Sequence, residues 1–163
     1  MLKPDEFFDS IHKIPYDDLY QKGYRGIIFD IDNTLTAFDA PDPPKESVEL
    51  INNLKLMGYK LYLLTNNTNK RLSSFNKTLQ LPGTAMALKP LAWGIRKAMK
   101  SMSTEKCSTM IIGDQLLSDI WAGRRAGIKS LMVRPITEKD FSFVQIKRII
   151  ERKLMKRYFE SLK

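Results

Sequence analysis

Short apolar segments alternate with helical patterns along most of this chain, and this alternation is the feature that most restricts its fold. The apolar segments are short and bounded by glycine or polar residues, which is typical of buried strands. Strands that alternate with helices predict a parallel sheet covered by helices on both faces. The predicted strands are Gly26–Asp30, Lys60–Thr65, Thr84–Leu88, Thr109–Asp114 and Ser130–Val133.

Helical periodicity fills the gaps between these strands and continues after the last one. The predicted helices are Glu46–Met57, Asn69–Leu79, Pro90–Met102, Gln115–Ala126 and a last helix over about residues 141–161. A length of 163 residues with 43% hydrophobic content suits one domain with a full core. We therefore expect an α/β fold with a single domain over residues 1–163, built as a three-layer α/β/α sandwich around a parallel five-stranded sheet.

Two aspartates, Asp30 and Asp32, follow the first predicted strand directly. In an extended segment the side chains of residues i and i+2 point the same way, so both carboxylates can face one small volume. Open α/β sheets bind ligands beyond the carboxyl ends of their strands. A nucleophilic carboxylate beside a second carboxylate that moves protons is an arrangement that phosphoryl-transfer chemistry uses.

The other predicted strands also end in polar residues. Thr65 and Asn66 follow the second strand, Lys89 follows the third, and Asp114 and Asp119 follow the fourth. In a parallel sheet these ends share one edge. Two carboxylates about 4 Å apart repel by roughly 4 kcal/mol at an effective dielectric near 20, so a group of them must bind protons or a cation. Oxygen ligands without histidine or cysteine suit Mg²⁺, which predicts a metal and phosphoryl site.

Each polar cluster taken alone has an ordinary structural explanation. Thr65 and Asn66 can form a turn and a helix cap, Lys89 with its following proline can start a helix, and Asp114 can cap one. The buried pair Asp30 and Asp32 is harder to explain in this way, because desolvated carboxylates need partners. The joint occurrence of all the clusters at strand ends favours a functional site.

Net charge and composition restrict the partners without selecting one. The net charge of +9 favours anionic partners, which include nucleic acid, acidic lipid surfaces and phosphorylated substrates. The single cysteine, Cys107, rules out an internal disulfide framework, and the single histidine, His12, is far in sequence from every polar cluster. Without a secretion signal or a membrane-spanning run, we expect a cytoplasmic location, with peripheral contact to the inner face of the membrane.

The C-terminal segment carries an apolar stripe and many basic residues. The stripe consists of Phe143, Ile146, Ile150, Leu154 and Tyr158, which recur every three or four residues. We assign Arg148, Arg152 and Lys156 to the opposite face, with Lys147, Lys153 and Arg157 beside the stripe. The stripe can pack on the domain and leave a basic face in solvent, or the helix can rest on anionic lipid, and the two interpretations are compatible.

The chain closely resembles the haloacid dehalogenase (HAD) superfamily of phosphohydrolases. The run Asp30-Ile31-Asp32-Asn33-Thr34-Leu35 resembles its first motif, Thr65 and Lys89 match the second and third, and Asp114 with Asp119 matches the fourth. The segment Gly113–Asp119, the run Gly123–Gly127 and the basic C-terminal helix further resemble the YqeG family of capless HAD phosphatases.

The resemblance implies a Rossmann-like HAD fold and a role for each matched residue. Asp30 would attack phosphorus and form an aspartyl-phosphate, and Asp32 would protonate the leaving oxygen and then activate water. Phosphoryl oxygens would be held by Thr65, Lys89 and Asn66. The Mg²⁺ ligands would be Asp30, the Asp32 carbonyl and Asp114, with support from Asp119. The gaps between the motifs are too short for a cap domain, so an open site is expected.

Three functions remain open at this point. Eukaryotic relatives of the YqeG family are phosphatidylglycerophosphate phosphatases, so the resemblance suggests a phosphomonoester of an anionic phospholipid. The first alternative is an RNA- or ribosome-associated basic protein with a vestigial or secondary phosphatase site, although the sequence contains no recognised RNA-binding motif. The second is a phosphatase of small soluble metabolites, which the missing cap argues against. The oligomeric state is not predicted.

Overall fold

Six parallel strands form one sheet in the computed structural model, which describes residues 2–138 and 142–160. The strands in chain order are β1 (Glu6–Phe8), β2 (Gly26–Phe29), β3 (Lys60–Leu64), β4 (Gly83–Thr84), β5 (Thr109–Gly113) and β6 (Lys129–Val133). Across the sheet their order is β1-β6-β5-β2-β3-β4, and every neighbouring pair is parallel. All strands therefore end at one edge, which we call the carboxyl edge.

The predicted parallel sheet is confirmed, but the number of strands and one strand's bounds were wrong. Strands β2, β3, β5 and β6 agree with the prediction to within one residue at either end. The predicted strand Thr84–Leu88 is wrong, because β4 stops at Thr84 and residues 85–88 form a loop. The sixth strand, β1, was missed: it has only three residues and exists through its pairing with β6.

The helices alternate with the strands along the chain, and the last helix follows β6, as the sequence predicts. They are α1 (Tyr16–Gln21), α2 (Lys45–Leu56), α3 (Asn69–Phe75), α4 (Trp93–Met102), α5 (Trp121–Ala126) and α6 (Ser142–Glu160). The predicted helix Gln115–Ala126 is divided into a π-helical turn, Leu116–Ile120, and α5. Helix α1 was not predicted, and the predicted ends of the last helix, residues 141 and 161, lie outside the described residues.

Two hydrophobic layers confirm the three-layer sandwich. On one face of the sheet, Ile27 and Phe29 pack with Ile51 of α2 and Phe75 of α3. On the other face, the intervening Ile28 packs in a cluster with residues of α4 and α5. Because successive strand residues point to opposite faces, a wholly apolar strand such as β2 serves both layers.

The inner face of helix α6 differs from the predicted stripe. Its buried side chains include Arg148, Glu151, Met155 and Tyr158, whereas Ile150 of the predicted stripe is 52% exposed. The assignment of Arg148 to an exposed basic face is therefore wrong, and the reason is that Arg148 and Glu151 have polar partners inside the protein. The helix turns so that these two side chains point inward together with Met155 and Tyr158.

Other predictions for α6 have mixed outcomes. Arg152, Lys153 and Lys156 are exposed, as expected of basic residues on a helix surface, and Tyr158 is buried. The side chains of Phe143, Ile146, Lys147 and Arg157 lie outside the described part of the protein. Within the described residues, no helix combines the length and the apolar character that a membrane crossing requires.

Candidate active site

Three buried carboxylates, from Asp30, Asp114 and Asp119, meet at the carboxyl edge. Asp30 directly follows β2, Asp114 directly follows the neighbouring β5, and Asp119 lies in the π-helical turn. One oxygen of each carboxylate lies within 4.8 Å of the others. The three residues are 5%, 0% and 0% exposed, so water does little to screen the repulsion between their carboxylates.

The π-helical turn brings Asp119 back toward the end of β5. The backbone N–H of Gln115 donates to Asp119 Oδ2 at 3.1 Å. A Cβ atom on Gly113 would lie only 2.3 Å from the Asp119 Cγ atom, so this approach requires glycine at the end of β5. The glycine that precedes Asp114 in the fourth motif thus has a direct steric explanation.

Lys89 neutralises part of this negative charge. Its Nζ atom lies 2.6 Å from Asp30 Oδ1 and 2.6 Å from Asp119 Oδ1, and it also donates to the Leu64 carbonyl oxygen at 2.9 Å. Burial by itself lowers the pKa of Lys89, but Asp119 and Asp30 outweigh it and the pKa is raised. The lysine therefore stays charged at the centre of the cluster.

Burial and neighbouring charges shift the pKa of the Asp30 carboxyl. Burial raises the pKa of Asp30 well above its usual range, and Lys89 opposes this shift, while Asp119, Asp114 and Asp32 raise the pKa further. The site thus favours a proton or an added cation at Asp30. A hard divalent cation such as Mg²⁺ fits the three carboxylate oxygens, because the donor set contains only oxygen.

The predicted phosphoryl ligands Thr65 and Asn66 also lie at this edge. Thr65 is buried at the end of β3, and its Oγ1 accepts a hydrogen bond from the Asn67 backbone N–H at 3.0 Å. The side chain of Asn66 holds the backbone of Lys89: its Oδ1 accepts from the Lys89 N–H at 2.7 Å, and its Nδ2 donates to the Lys89 carbonyl at 3.1 Å. The Asn66 contacts place that residue beside Lys89, and Thr65 directly follows Leu64, whose carbonyl accepts from Lys89 Nζ.

Asp32 lies beside the three carboxylates and has its own partners. Arg71 Nε donates to Asp32 Oδ1 at 3.0 Å, and Asn67 Nδ2 donates to Asp32 Oδ2 at 3.1 Å. The Asp32 carboxylate is therefore held in one orientation at the rim of the cluster. Arg71 and Asn67 were not predicted as site residues, because their contacts join segments that are more than 30 residues apart in the chain.

Thr34 is a further site residue that was not predicted, although it lies within the first motif. Its hydroxyl oxygen is 3.2 Å from Asp30 Oδ2 and 3.2 Å from Asp114 Oδ1. The hydroxyl group has a single hydrogen, so it can donate to one of the two carboxylates at a time. The Asp-x-Asp-x-Thr spacing was the signal that could have identified it.

Arg148 reaches the site from α6, and it is the residue whose position the sequence least indicated. Its Nη2 atom lies 2.6 Å from Asp114 Oδ2, and its side chain is only 10% exposed. One turn further along α6, Glu151 Oε1 accepts a hydrogen bond from the Leu117 backbone N–H at 2.8 Å. Helix α6 is therefore joined to the segment that carries Asp114 and Asp119.

A parallel α/β sheet with buried carboxylates and a lysine at its carboxyl edge is typical of proteins that transfer phosphoryl groups, including phosphoryl-transfer hydrolases. Residues 36–133 match the family model described as haloacid dehalogenase-like hydrolase, and the chain belongs to this family. The matched range begins just after Asp32 and includes Thr65, Lys89, Asp114 and Asp119.

Similar proteins identify the chain further as a phosphatase. It is 32% identical over 152 residues to "Probable phosphatase YqeG" of Bacillus subtilis. The matched segment covers 93% of this chain and 88% of that protein. It is 26% identical over 153 residues to the chloroplastic phosphatidylglycerophosphate phosphatase 1 of Chlamydomonas reinhardtii, covering 87% of this chain and 57% of that protein. The structure of a HAD phosphatase from Thermococcus onnurineus superposes with a TM-score of 0.59 at 12% identity, covering 72% of this chain and 90% of that one.

The buried contact between Arg148 and Asp114 leads to a prediction about stability. Arg148→Met removes the cation from a wholly buried carboxylate, so the free energy of unfolding should fall by about 3 kcal/mol in metal-free buffer. The matched control is Arg152→Met on the exposed side of α6, which should change it by no more than about 0.5 kcal/mol. Chemical denaturation of the two variants measures both values, and equal effects would show that the contact does not stabilise the protein.

Proposed function

We propose that this phosphatase requires Mg²⁺, acts through an aspartyl-phosphate on Asp30, and hydrolyses a phospholipid phosphomonoester. One observation supports this chemistry most directly. Asp30 Oδ1 lies 2.6 Å from Lys89 Nζ, and the Asp30 carboxylate lies beside those of Asp114 and Asp119. A carboxylate held against a buried ammonium group and a cation site is placed to attack a phosphoryl group, whose charge those cations would stabilise.

In the proposed reaction, a carboxylate oxygen of Asp30 bonds to phosphorus as the bond to the leaving oxygen breaks. Asp32 donates a proton to that leaving oxygen. Asp32 then takes a proton from a water molecule, whose oxygen attacks phosphorus, and the bond between phosphorus and Asp30 breaks to release inorganic phosphate. The contacts of Arg71 and Asn67 support this role, because they hold the Asp32 carboxylate in place for both proton transfers.

The remaining residues would bind and orient the phosphoryl group. We assign its oxygens to Lys89 and Thr65, while Asn66 supports Lys89 through the backbone contacts described above and can contribute its amide. Asp30, the Asp32 carbonyl and Asp114 would hold the Mg²⁺, with Asp119 supporting that shell. When bound, the metal supplies positive charge that favours the ionised nucleophile and offsets the charge of the phosphoryl group.

Several observations support a phospholipid substrate, and the named relatives favour phosphatidylglycerophosphate among phospholipids. The second relative reported above carries that activity in its name. The chain passes from β2 to α2 through residues 30–44 and from β3 to β4 through a segment whose one helix is α3, so we propose that the site works without a cap domain. An open site and a net charge of +9 suit a phosphate group that lies on an anionic surface.

The nucleophile assignment predicts that Asp30→Asn abolishes turnover while the protein stays folded. The substitution keeps the shape of the side chain and removes the attacking carboxylate, so kcat for an aryl phosphate should fall at least about a thousandfold. Asp18→Asn in α1, an exposed aspartate, is the matched control and should retain wild-type activity. An Asp30→Asn enzyme with near wild-type kcat would contradict the mechanism.

The role of Asp32 predicts a dependence on the leaving group. Asp32→Asn cannot donate a proton, so hydrolysis of an alkyl phosphate should slow far more than hydrolysis of an activated aryl phosphate, whose leaving group is stable without one. Single-turnover formation of the phosphoenzyme on both substrates measures this difference. A similar loss on both substrates would assign Asp32 to positioning instead of proton transfer.

The substrate proposal is tested by comparing phosphate release from several classes of phosphomonoester with Mg²⁺ and with EDTA. We expect the highest kcat/KM for phosphatidylglycerophosphate in mixed micelles, and lower values for nucleotides, sugar phosphates and phosphopeptides. Efficient turnover of a soluble metabolite without lipid turnover would reject the lipid substrate but would not contradict the phosphatase activity. Tight RNA binding without lipid turnover would favour the RNA-associated alternative.

A further inference from the structure

Large apolar side chains are exposed on the loop that carries Lys89. Met86, Leu88 and Leu91 are 58%, 61% and 44% exposed, whereas Ala87 and Lys89 between them are buried. From Met86 to Lys89 the side chains alternate between solvent and the interior, where Ala87 joins the hydrophobic core and Lys89 joins the site. Three large apolar groups at one loop are an unusual surface feature for a soluble enzyme and indicate an interaction site.

This loop is attached to the site through its backbone. The Met86 N–H donates to the Asn67 carbonyl at 2.9 Å, and the Leu91 N–H donates to the Leu88 carbonyl at 2.9 Å. Met86 and Leu88 have φ values of +48° and +54°, a left-handed conformation that residues with side chains seldom adopt. Such conformations persist where the surrounding contacts impose them, and here they hold both apolar side chains outward.

Exposed apolar side chains also follow β6, which lies on the opposite side of β2 from β4 in the sheet. Ile136 is 51% exposed, and its backbone N–H donates to the carbonyl of Asn33 in the first motif at 3.0 Å. Ile149 and Ile150, which are 58% and 52% exposed, directly follow Arg148, the residue that contacts Asp114. We call the six side chains Met86, Leu88, Leu91, Ile136, Ile149 and Ile150 the apolar rim.

Exposed positive charges lie next to two parts of the apolar rim, while Glu138, two residues after Ile136, is also exposed. Lys70 is exposed on α3, which begins just after Asn66 and Asn67, and Arg152 and Lys153 are exposed on α6 within one turn of Ile149 and Ile150. Apolar side chains that project beside lysine and arginine are typical of proteins that insert shallowly into an anionic bilayer. Arg148, by contrast, is held inside the protein and is not available to lipid.

We propose that the apolar rim is a membrane-docking surface that inserts into an anionic phospholipid bilayer and turns the carboxylate cluster toward the lipid headgroups. The proposal rests on the lipid substrate proposed above, and it specifies which surface meets the membrane. The loops after β4 and β6 carry Met86, Leu88 and Ile136, and they flank β2, the strand that ends at Asp30. Insertion of these side chains turns the site toward phosphate groups at the bilayer surface. A phosphomonoester on a lipid then reaches the nucleophile without leaving the membrane.

The double variant Met86→Asn and Leu88→Asn tests the rim directly. Asparagine tolerates the left-handed backbone conformation, so the loop keeps its shape while both apolar groups are lost. Leu56→Asn is the matched control: Leu56 is 87% exposed at the end of α2, and β3 begins four residues later, which places it near the opposite edge of the sheet. A second variant, Ile136→Asn with Ile149→Asn, tests the other side of the rim.

Binding is measured by cosedimentation with vesicles of phosphatidylglycerol and phosphatidylcholine at physiological salt. Each double rim variant should bind at least about tenfold more weakly than wild type, because two large apolar side chains no longer enter the bilayer. Leu56→Asn should bind like wild type. Each rim variant should hydrolyse two soluble substrates at close to the wild-type rate: an aryl phosphate, and short-chain phosphatidylglycerophosphate below its micelle concentration. Its hydrolysis of phosphatidylglycerophosphate in vesicles should fall in parallel with binding.

The outcomes separate this proposal from the proposed substrate. Vesicle binding that survives both rim variants but is lost in Arg152→Glu with Lys156→Glu would overturn the rim and assign docking to the outer face of α6. Retention by RNA without binding to vesicles would overturn it as well. Rim-dependent binding together with no turnover of phosphatidylglycerophosphate would support docking and reject that substrate. Lipid turnover in vesicles that is unaffected by the rim variants would support the substrate and reject docking.

Discussion

The ammonium group of Lys89, held between Asp30 and Asp119, is the interaction on which the rest of the carboxyl edge depends. Removing one partner from a buried ion pair costs roughly 3–5 kcal/mol, because it leaves a charge without compensation. Here one lysine contacts two carboxylates at 2.6 Å each, and a third carboxylate lies within reach of both. Without Lys89, the repulsion among these groups would oppose the folding of the strand ends that carry them.

Much of the surrounding structure positions that lysine and its partners. The carbonyl of Leu64 accepts from its Nζ, and Asn66 holds its backbone from both sides. Gly113 leaves the space into which the Asp119 side chain turns. The loop that directs Lys89 inward also directs Leu88 outward, so the proposed chemistry and the proposed membrane contact depend on the same backbone conformation.

Helix α6 links the site to the surface of the protein. Arg148 and Glu151 on its inner face contact the segment that carries Asp114 and Asp119, while Ile149 and Ile150 on its outer side belong to the apolar rim. An amphipathic helix normally directs apolar residues inward. This helix also directs an arginine and a glutamate inward, because their partners, the Asp114 carboxylate and the Leu117 backbone N–H, offset the cost of their desolvation.

The sequence by itself determined the parallel α/β class and the positions of Asp30, Asp32, Thr65, Lys89, Asp114 and Asp119, because these follow from local rules. A short apolar run predicts a buried strand, alternation with helices predicts parallel strands, and parallel strands place their ends at one edge. Only the tertiary structure decided the partners of Asp32 and Asp114, the short strand β1, the inner face of α6 and the location of the apolar rim. Those features depend on contacts between distant segments, such as Arg71 with Asp32 and Arg148 with Asp114, whose energies exceed the local preferences that a sequence pattern reports.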